Sequence, residues 1–185
     1  MSKGKLIVIS GPSGVGKGEI VKGVLSRKHN VSLSVSCTTR SPRENEIEGV
    51  SYFFISKELF EKMIAEGGFL EYSKHFDNYY GTPAAFVEEK LSCGNDVILE
   101  IDVDGALNVK KAKPDAVLVL IVPPDMQTLY ERLKGRDTED EDEIKKRMER
   151  ADYELSKGQQ YAYVIVNDKL CDAVDKVLDI MEKEN

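Results

Sequence analysis

A glycine-rich segment near the start of the sequence limits the possible folds more than any other feature. The segment Gly11-Pro-Ser-Gly-Val-Gly-Lys-Gly18 follows an apolar run, Leu6–Ser10, and precedes a helix-compatible run at 19–25. A strand, a glycine-rich loop with a lysine and then a helix form the phosphate-binding loop of nucleotide-binding proteins. Backbone N–H groups of such a loop surround an anion, and the helix N-terminus adds unpaired donors. We therefore predict that a nucleoside triphosphate binds Gly11, Pro12, Ser13, Gly14, Val15, Gly16, Lys17 and Gly18.

The segment departs from the full phosphate-loop pattern at its last position. Gly11, Gly16 and Lys17 fit G-x-x-x-x-G-K-[ST], but Gly18 stands where a hydroxyl normally contacts Mg²⁺. We expect Lys17 to reach the β- and γ-phosphates, and Mg²⁺ to be held by water and nucleotide oxygens. A tight turn that needs glycine only for its backbone is the less favoured alternative, because the flanking strand and helix lie where the motif requires them.

Composition and charge exclude several classes of function. The 185 residues predict one domain, and the net charge of −7 argues against nucleic acid as a main ligand. The three cysteines, Cys37, Cys93 and Cys171, have no metal-ligand spacing and no paired framework, which indicates reduced thiols. The first residues lead directly into a strand, and the longest apolar run is too short to cross a bilayer. We expect a cytoplasmic protein with no membrane partner.

Apolar runs along the chain predict an α/β fold. Runs at 6–10, 97–102, 117–122 and 164–166 have the continuous hydrophobicity of buried parallel strands, and helical patterns separate them. Short strands between about 33 and 82 do not follow this alternation and indicate an inserted α+β lobe. The segment 125–157 is helical and strongly charged.

Local signals predict several element ends. The run 31–37 alternates like one strand, and Ser56 is a suitable N-cap for a helix over 57–66 with Leu59 on its apolar stripe. Residues 78–82 are predicted to form a loop, with Thr82 capping the next helix and Pro83 in its first turn. Asp125 is predicted to cap one helix, and Thr138 and Glu141 are predicted to form a capping box at the start of the next.

Arginines and acids are the candidates for chemistry. The arginines of interest are Arg40 and Arg43, on the loop after the second predicted strand, and Arg132, Arg136 and Arg147. For the last three, charge spacing alone leaves it open whether they contact phosphates or form a solvated charged face. Glu100 and Asp102 end an apolar strand, where phosphate-loop proteins place the acid that orients Mg²⁺. By spacing alone, Glu71 and the tyrosines Tyr52, Tyr79 and Tyr80 indicate no function.

Segments along nearly the whole chain resemble the guanylate kinase signature, in the same order as in that family. They are Ser36-Cys-Thr-Thr-Arg-Ser-Pro-Arg43, Glu46, Gly49, Tyr52, Phe54, Glu71, Asn78-Tyr-Tyr-Gly81, Glu100-Ile-Asp102, Arg132-Leu-x-x-Arg136-x-Thr-Glu139, Ile144-x-x-Arg147 and Val166-Asn-Asp168. The resemblance implies transfer of the γ-phosphoryl of ATP to GMP, with Mg²⁺ as cofactor, and dGMP as a second acceptor to be considered. It also implies a monomer or weak homodimer.

The resemblance further implies three regions and a role for each candidate residue. The core would comprise 1–32, 83–124 and 158–185, with a GMP-binding lobe at 33–82 and a helical lid at 125–157. The GMP site would comprise Ser36, Arg40, Arg43, Tyr52, Glu71, Tyr80, Thr82 and Asp102. The catalytic group would comprise Lys17, Arg43, Arg132, Arg136 and Arg147. Asn167 and Asp168 would lie on the adenine side, and Glu100 and Asp102 would hold Mg²⁺ through water.

Three departures from the family pattern and two rival functions are also apparent. Gly18 and Glu19 replace residues that often carry a hydroxyl, and Asp104 stands where the family usually has glutamine. One rival is a binding module that resembles this fold but has lost the ATP machinery. Intact Gly11, Gly16, Lys17, Arg136 and Arg147 argue against it. The other rival is a kinase of the same architecture for a different phosphorylated sugar or nucleotide.

Overall fold

The computed structural model describes residues 3–75, 77–135 and 141–184. Within these ranges the strands are β1 (Leu6–Ser10), β2 (Val31–Leu33), β3 (Cys37–Thr38), β4 (Phe53–Phe54), β5 (Phe69–His75), β6 (Asn78–Pro83), β7 (Asp96–Glu100), β8 (Val117–Val122) and β9 (Tyr163–Val166). The helices are α1 (Lys17–Arg27), α2 (Lys57–Ala65), α3 (Ala84–Ser92), α4 (Val103–Ala112), α5 (Met126–Lys134), α6 (Glu141–Ser156) and α7 (Leu170–Glu184), with a short 3₁₀ turn at Gly158–Gln160.

A five-stranded parallel sheet forms the centre of the molecule. Its strand order is β2-β7-β1-β8-β9. Every residue of β1 is buried, because helices cover both faces of the sheet. Ile7 and Ile9 pack against residues of α1 and α7 on one face, while Leu6 and Val8 pack against α3 and α4 on the other. The predicted α/β class with a three-layer parallel sheet is therefore confirmed.

A second, smaller sheet lies between β2 and α3 in the chain. It has four strands in the order β4-β3-β6-β5, with β6 antiparallel to both of its neighbours. The Phe60 side chain on α2 is fully buried and stacks on the rings of Phe69 and Tyr79, at centroid distances of 4.2 and 5.2 Å. These aromatic contacts attach the helix to the sheet.

The structure corrects four local predictions. The run 31–37 is not one strand, because Val31–Leu33 pairs with β7 and Cys37–Thr38 belongs to the second sheet. Residues 78–82 are not a loop but most of β6, in which aromatic side chains suit a pleated surface. Thr82 therefore caps no helix, and α3 begins after Pro83 without a side-chain cap. Leu59 is 45% exposed, so it does not belong to a buried stripe.

Other element ends agree with the predictions. The Ser56 hydroxyl accepts a hydrogen bond from the Leu59 N–H, and Asp125 accepts one from the Thr128 N–H. Thr138 of the predicted capping box lies outside the described residues. Helix α4 has no counterpart among the predicted elements. Among the described residues, no helix has both the length and the apolar character that a membrane span needs.

Candidate active site

A cavity of about 540 Å³ lies between the two sheets. The carboxyl ends of β1 and β7 meet it from the central sheet, which is where ligands of open α/β sheets bind. Its lining residues include Gly11, Ser13, Lys17, Ser36, Arg40, Arg43, Tyr52, Glu71, Ser73, Asn78, Tyr80, Gly81, Glu100, Ile101, Asp102 and Glu154. Residues predicted for the triphosphate and for the monophosphate thus line one space.

The glycine-rich loop at one end of the cavity has the backbone that its sequence predicts. Gly16 has a φ of 93°, a conformation that L side chains rarely adopt, and a Cβ there would lie 2.6 Å from Nδ2 of Asn167. Val15 is fully buried and anchors the loop in the core. Lys17 Nζ donates hydrogen bonds to the carbonyl oxygens of Gly11 (2.6 Å) and Pro12 (3.0 Å). The lysine ammonium therefore lies over the loop.

Two acids at the carboxyl end of β7 line the cavity: Glu100 is the last residue of the strand, and Asp102 follows it. Glu100 is accessible from the cavity but crowded by protein on its other sides, and this desolvation raises its pKa while Lys17 opposes the rise. A Cβ at Gly18 would lie 3.6 Å from Glu100 Oε1. Oδ1 of Asp102 accepts the Gly105 N–H at 2.7 Å and caps α4. The described residues include no group of three or more His, Cys, Asp or Glu side chains arranged to hold a metal.

Arg40 is held in a fixed orientation beside the cavity. Its guanidinium donates to both carboxylate oxygens of Glu46, at 2.6 and 2.5 Å, and stacks 5.0 Å from the ring centroid of Tyr52. Glu46 also accepts the backbone N–H of Arg43 at 2.8 Å. The hydrogen bond from Arg40 is the main cause that lowers the pKa of Glu46 from 4.5 to about 2. One acid therefore orients the guanidinium of Arg40 and holds the backbone at Arg43.

Glu71 is a buried acid in the wall of the same cavity. Only 7% of it is exposed, and Oε1 accepts the hydroxyl of Thr82 at 2.8 Å. Antiparallel pairing of β5 and β6 places these two residues opposite each other. Thr82 is itself fully buried, so its hydroxyl points at Glu71.

Helix α6 brings further charged groups to the cavity. Arg147 donates from Nη1 to the Ser13 hydroxyl at 2.7 Å, which joins the helix to the glycine-rich loop. Glu154 is 5% exposed and lines the cavity. Burial raises the pKa of Glu154, and the positive charges of Lys17 and Arg150 oppose this rise.

The structure also gives Asp104 a partner. Arg150 donates to Asp104 at 2.5 Å and to Glu154 at 3.2 Å, and the Tyr153 hydroxyl donates to Asp104 at 3.0 Å. Asp104 on α4 therefore contacts two residues of α6. A charged acceptor at position 104 suits the guanidinium of Arg150.

The remaining predicted residues lie beside the loop or outside the described ranges. Arg132 donates from Nη2 to the backbone oxygen of Asn167 at 3.0 Å, and its Nη1 is buried without a hydrogen-bond partner among the described residues. Asn167 is buried and donates from Nδ2 to the Val15 oxygen at 2.8 Å, so it supports the loop from beneath. Asp168 is exposed. Arg136 lies outside the described residues.

Some cavity residues were not among those predicted. Ser73 follows Glu71 by two positions on a strand, and this period places both side chains on one face. Glu154 follows Arg147 by seven positions, two helical turns, which also places them on one face. Both spacings could have identified these residues once the elements were known. Asn78, Gly81 and Ile101 complete this group.

Comparison with known proteins decides the family. The family model described as guanylate kinase matches residues 3–184. The chain belongs to the guanylate kinase family. A guanylate kinase from Caldanaerobacter subterraneus is 50% identical over 182 residues, covering 98% of this chain and 88% of that protein. A guanylate kinase from Clostridium tetani is 50% identical over 184 residues, covering 100% and 88%.

A solved structure agrees with this assignment. The crystal structure of guanylate kinase from Anaplasma phagocytophilum has a TM-score of 0.82 to this chain at 31% identity, and the match covers 99% of this chain and 87% of that one. Similarity to members of the guanylate kinase family therefore extends over both the central sheet and the second sheet.

We predict that Glu46→Gln raises the KM for GMP about tenfold, because Arg40 and Arg43 lose a shared anchor and misplaced groups bind less well. Steady-state kinetics would check this, with kcat changed less than KM. The exposed neighbour Glu44 provides the control, since Glu44→Gln removes a charge from the same loop without touching Arg40. Equal effects of the two changes would contradict the prediction.

The same Glu46→Gln variant should lose stability in a pH-dependent way. The pKa of Glu46 is depressed to about 2, so its stabilising effect is complete above about pH 4.5 and disappears as the pH falls toward 2. We expect urea midpoints of variant and parent to differ at pH 7 and to converge progressively as the pH falls from about 4.5 toward 2. A pH-independent difference would mean that ionisation of Glu46 is not the cause.

Proposed function

We propose that the chain transfers the γ-phosphoryl group of ATP to GMP, giving ADP and GDP. One observation carries the proposal: a single cavity is lined by the glycine-rich loop and Lys17, by Arg40 and Arg43, and by a buried acid, Glu71. The loop suits the phosphates of the donor, and Arg40 and Arg43 suit the phosphate of the acceptor. The distance between two bound nucleotides is then set by the cavity.

The chemistry requires neutralisation of charge more than proton transfer. The second pKa of a phosphate monoester is near 6, so the attacking oxygen of GMP is largely ionised at neutral pH. The main barrier is the repulsion between two polyanions. Lys17, Arg43 and Arg147 would offset it and stabilise charge on the transferred group. We assign Arg132 and Arg136 to the same group, and the region 125–157 to a lid that excludes water.

The buried acid accounts for the choice of base. Guanine presents N1–H and an exocyclic amine side by side, and a carboxylate, which only accepts, suits this pair. Adenine has a lone pair at N1 and would face Glu71 unfavourably. Thr82 is too deeply buried to meet the base, so we propose that it positions Glu71 instead. Ser36 and Asp102 line the same cavity and would complete the purine contacts.

The residues present fit an outer shell for Mg²⁺. Glu100 opens to the cavity near Lys17, and no hydroxyl stands at Gly18, so we propose that Glu100 contacts the ion through water. Asp102 is the weaker candidate because one of its oxygens caps α4. When bound, Mg²⁺ would neutralise charge on the β- and γ-phosphates. Asn167 would support the loop beneath ATP, and Asp168 would lie on the adenine side.

An ADP-release assay with a panel of acceptors tests the proposal. We expect turnover with ATP and GMP, slower turnover with dGMP, and little with AMP, IMP, UMP or a sugar phosphate. Absence of turnover with every acceptor would support a binding module instead, and preference for another acceptor would support the rival kinase. We further propose a cytoplasmic enzyme that is a monomer or a weak homodimer.

A further inference from the structure

A glycine in the first turn of α4 lies against both acids of the purine end of the cavity. A Cβ added to Gly105 would be 3.0 Å from Glu71 Oε2 and 3.2 Å from Asp102 Oδ1. Both distances are shorter than side chains ordinarily allow. With a side chain at position 105, the nearest group, the Glu71 carboxylate, would have to shift by a few tenths of an ångström.

The backbone does not explain this glycine. Gly105 is absent from the glycines with positive φ, so an L residue could adopt its conformation. Alanine is the best helix former and glycine among the worst, so the helix itself would be more stable with alanine. A residue that is unfavourable for its own secondary structure is often found at a functional site.

Two fixed groups lie against the Glu71 carboxylate, and its remaining known surroundings include the cavity. Its Oε1 is bonded to the buried Thr82 hydroxyl, while Oε2 faces Gly105. Asp102 is bonded to the Gly105 N–H at 2.7 Å, so it moves with the helix. A methyl group at position 105 would therefore push the Glu71 carboxylate toward the cavity.

We propose that Gly105 is a positioning residue that sets the depth of the Glu71 carboxylate and thereby the selectivity for a 6-oxo-2-amino purine. This inference rests on the proposed function, because it assumes that Glu71 binds the base. The space beside Gly105 allows the Glu71 carboxylate to lie close to α4. In that position both of its oxygens can accept hydrogen bonds from the N1–H and the exocyclic amine of guanine. A carboxylate displaced by a few tenths of an ångström would meet the base too closely and at a poorer angle.

The direct test is Gly105→Ala in the full chain. We expect the KM for GMP to rise about tenfold or more, with a smaller change in kcat and the KM for ATP within about twofold, because misplacement of a binding group weakens binding. The melting temperature should stay the same or rise. Gly158→Ala is the matched control, because a Cβ there would make an ordinary contact, 3.5 Å from Leu120, away from the cavity.

A double-mutant cycle with Glu71→Gln separates positioning from a general effect on structure. If Gly105 acts through the acid, adding Gly105→Ala to Glu71→Gln should change the GMP-to-AMP ratio of kcat/KM far less than it does in the parent. Additive effects, an unchanged KM for GMP, or a large loss of melting temperature would each overturn the inference. A large loss of melting temperature would mean that the added methyl group displaces helix α4 rather than the Glu71 carboxylate.

The role proposed for Glu71 and the role proposed for Gly105 can be tested separately. If Glu71→Gln itself leaves the GMP-to-AMP ratio unchanged, the assignment of Glu71 to guanine is wrong and the inference falls with it. If Glu71→Gln lowers the ratio while Gly105→Ala does not, the proposed function stands and only the role of Gly105 is overturned.

Discussion

Replacing Lys17 with methionine is expected to lower kcat/KM about 1,000-fold, the scale found when a charge that stabilises phosphoryl transfer is removed. The expectation follows from the position of Nζ over the loop carbonyl oxygens, within the cavity that also holds Arg40 and Arg43. Methionine keeps the length and apolar character of the lysine stem. The change therefore removes the charge with little loss of packing, and the loop should stay folded.

The measurement is the steady-state rate with ATP and GMP, together with binding of GMP alone by calorimetry. We expect kcat to fall most, while the affinity for GMP changes little because the arginine pair is intact. Lys22→Met is the comparison on the same helix, since Lys22 is exposed, forms its ion pair with Glu19 and does not line the cavity. A reduction of less than threefold for Lys17→Met would remove this lysine from the proposed mechanism.

The sequence predicts the central sheet well because its signals are local. β1 and β8 are continuous apolar runs, and such runs are buried on both faces wherever helices cover a parallel sheet. The phosphate loop is equally local, since Gly11 and Gly16 meet conformational demands within eight residues. Fold class and the donor end of the site therefore follow from the residues themselves.

The acceptor end of the site depends on pairing between distant segments. Residues 78–82 contain an aromatic pair and a glycine, which suit a loop as well as a strand, and only the register with β5 places Thr82 opposite Glu71. The contact of Asp104 with Arg150 likewise joins helices 46 positions apart in the chain. No periodicity within one segment could predict either contact.

Glu71→Gln is expected to lower the GMP-to-AMP ratio of kcat/KM about 100-fold, because hydrogen bonds to a charged acceptor contribute about 1.5–3 kcal/mol. Glutamine has nearly the same shape as glutamate but offers only one acceptor and adds donors. One donor of guanine would then face an NH₂ group, and the N1–H or the exocyclic amine would lack a partner. Most of the loss should appear as a raised KM for GMP.

Competition assays with GMP and AMP in one mixture would measure this ratio directly. Glu61→Gln is a suitable control, because Glu61 lies on α2 with an exposed side chain and takes no part in the cavity lining. A ratio that stays at the parent value would remove Glu71 from base selection.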